Sequence, residues 1–228
     1  MRSPPYARSS PNSLGPAVSL SFEPGLVRAW LAGRSVARGL PTPVADRGGW
    51  RVDTGLPEEV ARWVFAEPGE GLEELGRSLT LPFHLLKLCA PAEVLMRHLP
   101  PRWQLQSESW FMAAAEPMPK AALAPGYRLE HHTDGTVTQV RILTESGDLA
   151  ASGYAAQTSD AFVYDRIATA ADHRRRGLGR VLMAALCRAW TRPVPQLLTA
   201  TADGHALYTT LGWSVVSPYV TAGISPKP

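Results

Sequence analysis

Asp165-Arg166-Ile167-Ala168-Thr169-Ala170-Ala171-Asp172-His173-Arg174-Arg175-Arg176-Gly177-Leu178-Gly179-Arg180 reads as a strand that runs through a glycine-bearing turn into the start of a helix. The N–H groups of a helix's first turn have no partner inside the helix, and the positive end of its dipole lies beside them. Such a segment is a cradle for a diphosphate. Gly177 and Gly179 let a ligand approach the backbone, and the arginines add positive charge. A Walker loop needs Gly-Lys followed by Ser or Thr, and a dinucleotide fingerprint needs three glycines. Neither pattern is present; what remains is Arg-x-x-Gly-x-Gly, from Arg174 to Gly179.

A second pattern follows downstream. Gln196-Leu197-Leu198-Thr199-Ala200-Thr201 has a strand's composition, and Asp203 to Trp213 reads as a short helix closed by Gly212. Together the two segments resemble the GNAT superfamily of N-acetyltransferases, with Leu207-Tyr208-Thr209-Thr210-Leu211-Gly212-Trp213 matching the core of that family's Leu-Tyr-x-x-x-Gly-aromatic helix. The resemblance covers about residues 126 to 223. It implies a mixed, mostly antiparallel α/β (α+β) sheet flanked by helices, and acetyl-CoA as co-substrate. The loop amides and side chains of Arg174, Arg175, Arg176, Gly177, Leu178, Gly179 and Arg180 would hold the pyrophosphate. Backbone groups of Ile167, Ala168 and Thr169 would hold the pantetheine arm, and Thr201 stands near the place of a family asparagine that helps bind the carrier. Two departures stand out: Ala171 occupies a position where proline is common, and Thr201 replaces that asparagine.

Composition bounds the rest. At 228 residues the chain can bury a core without staples, and Cys89 and Cys187 form no disulfide framework or zinc pattern. No metal is expected, and a reducing cytoplasm is the simplest location. Met1 to Pro16 is rich in Pro and Ser and lacks the apolar run of a secretory signal. No stretch approaches the roughly 18 to 20 apolar residues that cross a bilayer. The formal net charge of +3 is spread along the chain apart from Arg174 to Arg176, so a compact anion fits better than a nucleic acid.

The chain divides by pattern into a disordered tail (1–19), an N-terminal α/β region (20–116), a proline-rich linker (117–125) and the acetyltransferase domain (126–228). Pro24 to Gly39 predicts an amphipathic helix, Trp50 to Thr54 a strand, Pro57 to Phe65 a helix and Glu70 to Leu79 another. Leu85 to Ala90 predicts a strand, Ala92 to His98 a helix and Ser109 to Ala115 a strand. Beyond the linker come four strands, Tyr127 to His132, Thr136 to Leu143, Leu149 to Gln157 and Ala161 to Thr169, with hairpin turns at Asp134-Gly135 and Ser146-Gly147-Asp148. A helix from Gly179 to Trp190 follows, and strands at Ser214 to Val216 and Tyr219 to Gly223 end the pattern. A family domain places two helices between its first two strands, where Asp134-Gly135 makes a direct turn; residues 20 to 116 are expected to complete the fold. Trp50-Arg51-Val52-Asp53 echoes Tyr127-Arg128-Leu129-Glu130, which makes the first half a candidate diverged GNAT-like repeat.

Acetyl transfer to an amine needs a fixed donor, a polarised carbonyl, an uncharged nucleophile and a proton for the departing thiolate. By the resemblance Tyr208 is the general acid. Asp165 is the candidate base, since alternation puts Asp165, Ile167 and Thr169 on one strand face, with a structural partnership to an arginine as its other reading. His131, His132 and His173 are weaker candidates, His173 belonging to the loop. The expected function is acetylation of a primary amine on a small molecule. Alternatives are acetylation of a protein lysine or N-terminus, and a non-catalytic acyl-CoA sensor. No nucleic-acid or membrane partner is expected, and a homodimer is one assembly the sequence permits.

Overall fold

The computed structural model describes residues 22–226. The tail expected over residues 1–19 lies outside the described residues. Helix α1 (Pro24–Arg38) has Pro24 in its first turn and ends where Gly39 adopts φ 62°, its N–H reaching the carbonyls of Ser35 and Val36. Strands β1 (Val44–Asp46), β2 (Gly49–Leu56) and β3 (Glu59–Phe65) follow, then α2 (Glu70–Ser78), β4 (His84–Leu88), α3 (Ala92–Arg97) and β5 (Gln104–Ala114). Residues 115–126 contain no helix or strand. The second half is β6 (Tyr127–Asp134), β7 (Val137–Thr144), β8 (Leu149–Gln157), β9 (Phe162–Thr169), α4 (Leu178–Cys187), β10 (Gln196–Ala200), α5 (Ala202–Thr209) and β11 (Ser214–Gly223).

The helix expected over Pro57 to Phe65 is a strand. Gly55 at φ 63° and the Pro57-Glu58 turn fold β3 back on β2. Val60, Trp63 and Val64 satisfy a helical period, but Ala61, Trp63 and Phe65 point to one buried face and Arg62 and Val64 to the other. A strand buried on both faces has no polar alternation to betray it. The two strands expected after Trp213 are one, β11, interrupted by a bulge between Val215 and Ser217. Pro218 sits beside that bulge, where only β5 flanks the strand, since β4 joins β11 from Val220 onward.

All strands form one 11-stranded sheet in the order β1-β2-β3-β4-β11-β5-β10-β9-β8-β7-β6. Apart from edge strand β6, the order read from its centre outward is a palindrome. The path β1-β2-β3-α2-β4-α3-β5 repeats as β7-β8-β9-α4-β10-α5-β11, with β3 parallel to β4 as β9 is to β10. Each half's last strand is inserted into the other: β11 lies between β4 and β5, and β5 between β11 and β10. The chain is therefore two halves of like topology sharing a sheet. The sequence echo pairs the wrong strands, because Trp50 to Asp53 lies in β2, whose counterpart is β8 and not β6.

Helices α2 to α5 cover one face of the sheet. The other face carries α1, whose Val27, Trp30 and Leu31 pack on Phe111, Val163, Leu197 and Tyr219. Helix α1 thus crosses from the first half onto β8 and β9 of the second. Asp134 to Val137 is indeed a tight hairpin, and the missing cover is supplied from the N-terminal region.

Candidate active site

Strands β9 and β10 are paired at only two positions, Gln196 with Phe162 and Leu197 with Val163. Beyond these the strands diverge, because β10 continues along β5, Leu198 to Ala200 facing Met112 to Trp110, while β9 continues along β8. The result is a wedge open toward the C-terminal ends of both strands. Ala168 and Thr169 pair with Ser152 and Ala151 of β8, so along Ile167, Ala168 and Thr169 the other backbone edge looks onto the wedge. An extended ligand arm can add there as a strand does.

At the mouth of the wedge the chain passes a short 3-10 turn (Ala171–His173) and enters α4. The first bond inside this helix runs from Val181 N–H to the Gly177 carbonyl, which leaves the amides of Leu178, Gly179 and Arg180 without helical partners. Arg175 at φ 61° and Gly177 at φ 76° turn the loop so that successive amides line a concavity. A Cβ added at Gly177 meets nothing within 4 Å, so this position needs glycine for its dihedral and leaves open space before the helix. Gly179 has a different reason: a Cβ there would meet Leu207 Cδ2 at 2.8 Å, so this glycine seats α4 against α5. The arginines ring the mouth. Arg176 donates to the Tyr127 hydroxyl at 3.0 Å, Arg180 to Thr210 Oγ1 at 3.0 Å, and Arg174 lies 3.7 Å from Asp203.

Tyr208 is buried in α5, and its ring folds back over the first turn of that helix. A Cβ on Gly204 would stand 2.9 Å from Tyr208 Cε2, so Gly204 is what gives the ring its place. Helix α5 begins two residues after the end of β10, and the Tyr208 ring also packs beside Trp213, centroids 6.0 Å apart. Burial pushes its pKa up to about 12, which keeps the hydroxyl protonated. Thr201 caps the same helix, its Oγ1 accepting from Gly204 N–H at 3.4 Å.

Asp165 is not placed as a base. It is 8% exposed and lies in a fork from Arg38, with Nε at 2.6 Å and Nη2 at 2.9 Å, while Arg34 stands at 3.6 Å and Arg166 at 3.3 Å. The strand alternation that put it beside Ile167 is broken by a bulge at Arg166, whose φ is 52°. Ser152 faces Ala168 while Tyr154 faces Asp165, so two β9 residues answer to Gly153 alone. Asp165 consequently faces α1, and Ile167 faces α4, where its Cδ1 closes on Gly153. The histidines are elsewhere: His131 and His132 lie on edge strand β6, and His173 holds the loop through the Tyr127 hydroxyl at 2.9 Å.

The first half contains the corresponding place, shut. Strands β3 and β4 are paired at five positions, from Ala61 with His84 to Phe65 with Leu88, so there is no wedge. The first turn of α2 carries Glu70 and Glu73, which repel an anion, and a Cβ on Gly71 would collide with the backbone of Arg47. Trp110, which pattern reading did not single out, stands opposite Ala200 at the end of β10 and packs in a tilted arrangement on His205, ring centroids 4.8 Å apart. Its position depends on the exchange of β5, which no local signal reports.

Among the described residues no group of three or more His, Cys, Asp and Glu side chains could hold a metal ion, and no helix is long and apolar enough to cross a membrane. Residues 137–215 match the family model described as the acetyltransferase (GNAT) domain. No curated protein matches the sequence. Among solved structures, a GCN5-related N-acetyltransferase from Kribbella flavida is 15% identical with a TM-score of 0.63, over 92% of this chain and 98% of that one. A GNAT-family protein from Novosphingobium aromaticivorans is 17% identical with a TM-score of 0.58, over 88% and 97%. A tandem GNAT protein from the clavulanic acid biosynthesis pathway is 14% identical with a TM-score of 0.52, over 79% and 80%. At these identities the likeness is one of fold.

Proposed function

We propose that this chain, whose residues 137–215 match the GNAT acetyltransferase domain, moves an acetyl group from acetyl-CoA to the primary amine of a small molecule, with Tyr208 as general acid. The observation that carries the reading is the open β9/β10 wedge leading to the unpartnered amides of α4, whereas the corresponding strands β3 and β4 of the first half stay paired at five positions. One site, in the second half, then serves the reaction. Bound acetyl-CoA would supply an activated thioester. The amides of Leu178 to Arg180 and the ring of arginines bind the diphosphate, and the free edge of Ile167 to Thr169 orients the arm. Tyr208 keeps its proton on Oη and is the group assigned to give it to the departing sulfur. The amine nitrogen forms the new C–N bond as the C–S bond breaks, and its proton leaves to water.

Helix α1, crossing over β8 and β9, favours a small amine over a protein tail. The buried thiols Cys89 and Cys187 suit a reducing compartment, and the cytoplasm is part of this proposal. Calorimetric titration of acetyl-CoA and release of free CoA over a panel of amines test it. Tyr208→Phe is expected to lower turnover about 100-fold with donor affinity changed less than about twofold. Tight donor binding without turnover on any amine would instead make the protein a sensor, and absence of binding would remove the reading altogether.

A further inference from the structure

A half-open cavity of about 470 Å³ lies between the segment 115–126, strand β6 and helix α4, and none of the wedge or cradle residues lines it. Its volume is within the range of about 300–1,000 Å³ usual for small-molecule sites. The walls are apolar: Met118 and Leu123 from the segment, Leu129 from β6, and Val181 and Ala185 from α4. They are also held in place. Gln196, fully buried, donates from Nε2 to the Glu116 carbonyl at 2.8 Å, Met118 is 8% exposed, and Pro117, Pro119 and Pro125 restrict the backbone between. The helix meets this segment with small side chains, Ala184 and Ala185, which leave the space between them unfilled.

The charge around the cavity is one-sided. Lys120 and Arg188 line it, and no Asp or Glu does. Neither side chain has a hydrogen bond or an ion pair among the described residues. Glu130 follows Leu129 on β6 but points to the opposite face of the sheet, where Arg128 and Arg141 take it. His131 returns to the face of Leu129, and burial together with the charge of Arg188 lowers its pKa.

We propose that this cavity binds an aliphatic carboxylate of medium chain length, the chain against the apolar walls and the carboxylate received by Arg188 and Lys120. A neutral chain would gain nothing from the two cations, and a small anion nothing from the walls. A second copy docked here about a two-fold axis would bring Lys120 and Arg188 toward their own counterparts, like charge against like. The chain's own N-terminal residues start from the other side, since Phe22 packs in the cluster under α1 on the opposite face of the sheet. The site stands independently of the acyl-transfer reading.

Octanoate, octan-1-ol and acetate, titrated into the full chain by calorimetry, test it. Octanoate is expected to bind at least about tenfold more tightly than either of the others. With Lys120→Gln and Arg188→Gln combined, its affinity is expected to fall to that of octan-1-ol while CoA affinity is retained; both side chains are exposed, and a thermal melt checks that the fold is kept. Ala184→Phe, which fills the cavity, is expected to lose both aliphatic probes. Should that variant fail to fold, the charge variant decides. Equal affinity for octanoate and octan-1-ol, or octanoate binding unchanged in the charge variant, overturns the site. Absence of octanoate heat also overturns it, and size-exclusion chromatography then assigns the cavity to a second copy if the protein is dimeric. No outcome depends on turnover, so the site and the enzyme reading stand or fall separately.

Discussion

At residue 165 a carboxylate on the donor strand serves the fold. Four arginine nitrogens surround it within 3.6 Å, and its removal would leave Arg34 and Arg38, both partly buried, without a counter-ion. Asp165→Asn is expected to destabilise the protein by about 2–3 kcal/mol while donor affinity holds; denaturant unfolding and calorimetry read the two separately. A turnover loss without a stability loss would return Asp165 to the chemistry. Lys87 tests the opposite sign. Its folded pKa of about 8 lies below the ordinary 10.5, so between those values the unfolded chain holds a proton that the folded chain has shed. Its contribution makes stability rise with pH across that window, and below pH 8 the folded state bears the whole cost, on the order of 3 kcal/mol. Lys87→Met is therefore expected to stabilise at pH 7, by about 1–3 kcal/mol, and to flatten the slope between pH 8 and 10.5 in urea unfolding at several pH values. A loss of stability at pH 7 would show the ammonium to be a structural ion-pair partner.

Among the elements, those that carry their own boundary signals were legible in the sequence. Pro24 and Gly39 bracket α1, Asp134-Gly135 turns β6 into β7, and the Arg174 to Gly179 loop announces α4. Strand β3 was not legible, because both its faces are buried and its apolar spacing satisfies two periods. The bulge at Arg166 was equally silent, and it moved Asp165 out of the site. Gly204 is the element-scale counterpart of these: in a helix its lack of a side chain costs about 1 kcal/mol relative to alanine, yet the Tyr208 ring needs the room. Gly204→Ala is expected to change stability by less than about 1 kcal/mol, with propensity and crowding opposed, while turnover falls at least tenfold as the phenol is displaced. A steady-state assay beside a thermal melt checks it, and undiminished turnover would mean that Tyr208 is not held in place by this contact.

For the molecule as a whole the decisive fact is the exchange of β5 and β11, which local sequence cannot encode because strand order depends on pairings far apart along the chain. The second half looks like a domain in sequence, since the motifs and the family match at residues 137–215 all lie there. Its sheet nevertheless lacks a neighbour on the other edge of β10 without β5, and one face of β8 and β9 is bare without α1. Cut at residue 120, the second half would expose Val163 and Leu197 together with the free edge of β10, an open template for aggregation. The piece spanning residues 121–228 is thus expected to be insoluble or molten when expressed alone. Co-expressed with residues 1–120, it should reassemble into a species that binds acetyl-CoA, because the break falls in a segment without helix or strand and the exchanged strands supply the interface. Size-exclusion chromatography, near-ultraviolet circular dichroism and donor titration on the isolated and paired pieces decide the matter. A monomeric 121–228 piece that folds and binds donor with the affinity of the full chain would mean that the closed half contributes neither the scaffold nor the wedge geometry attributed to it.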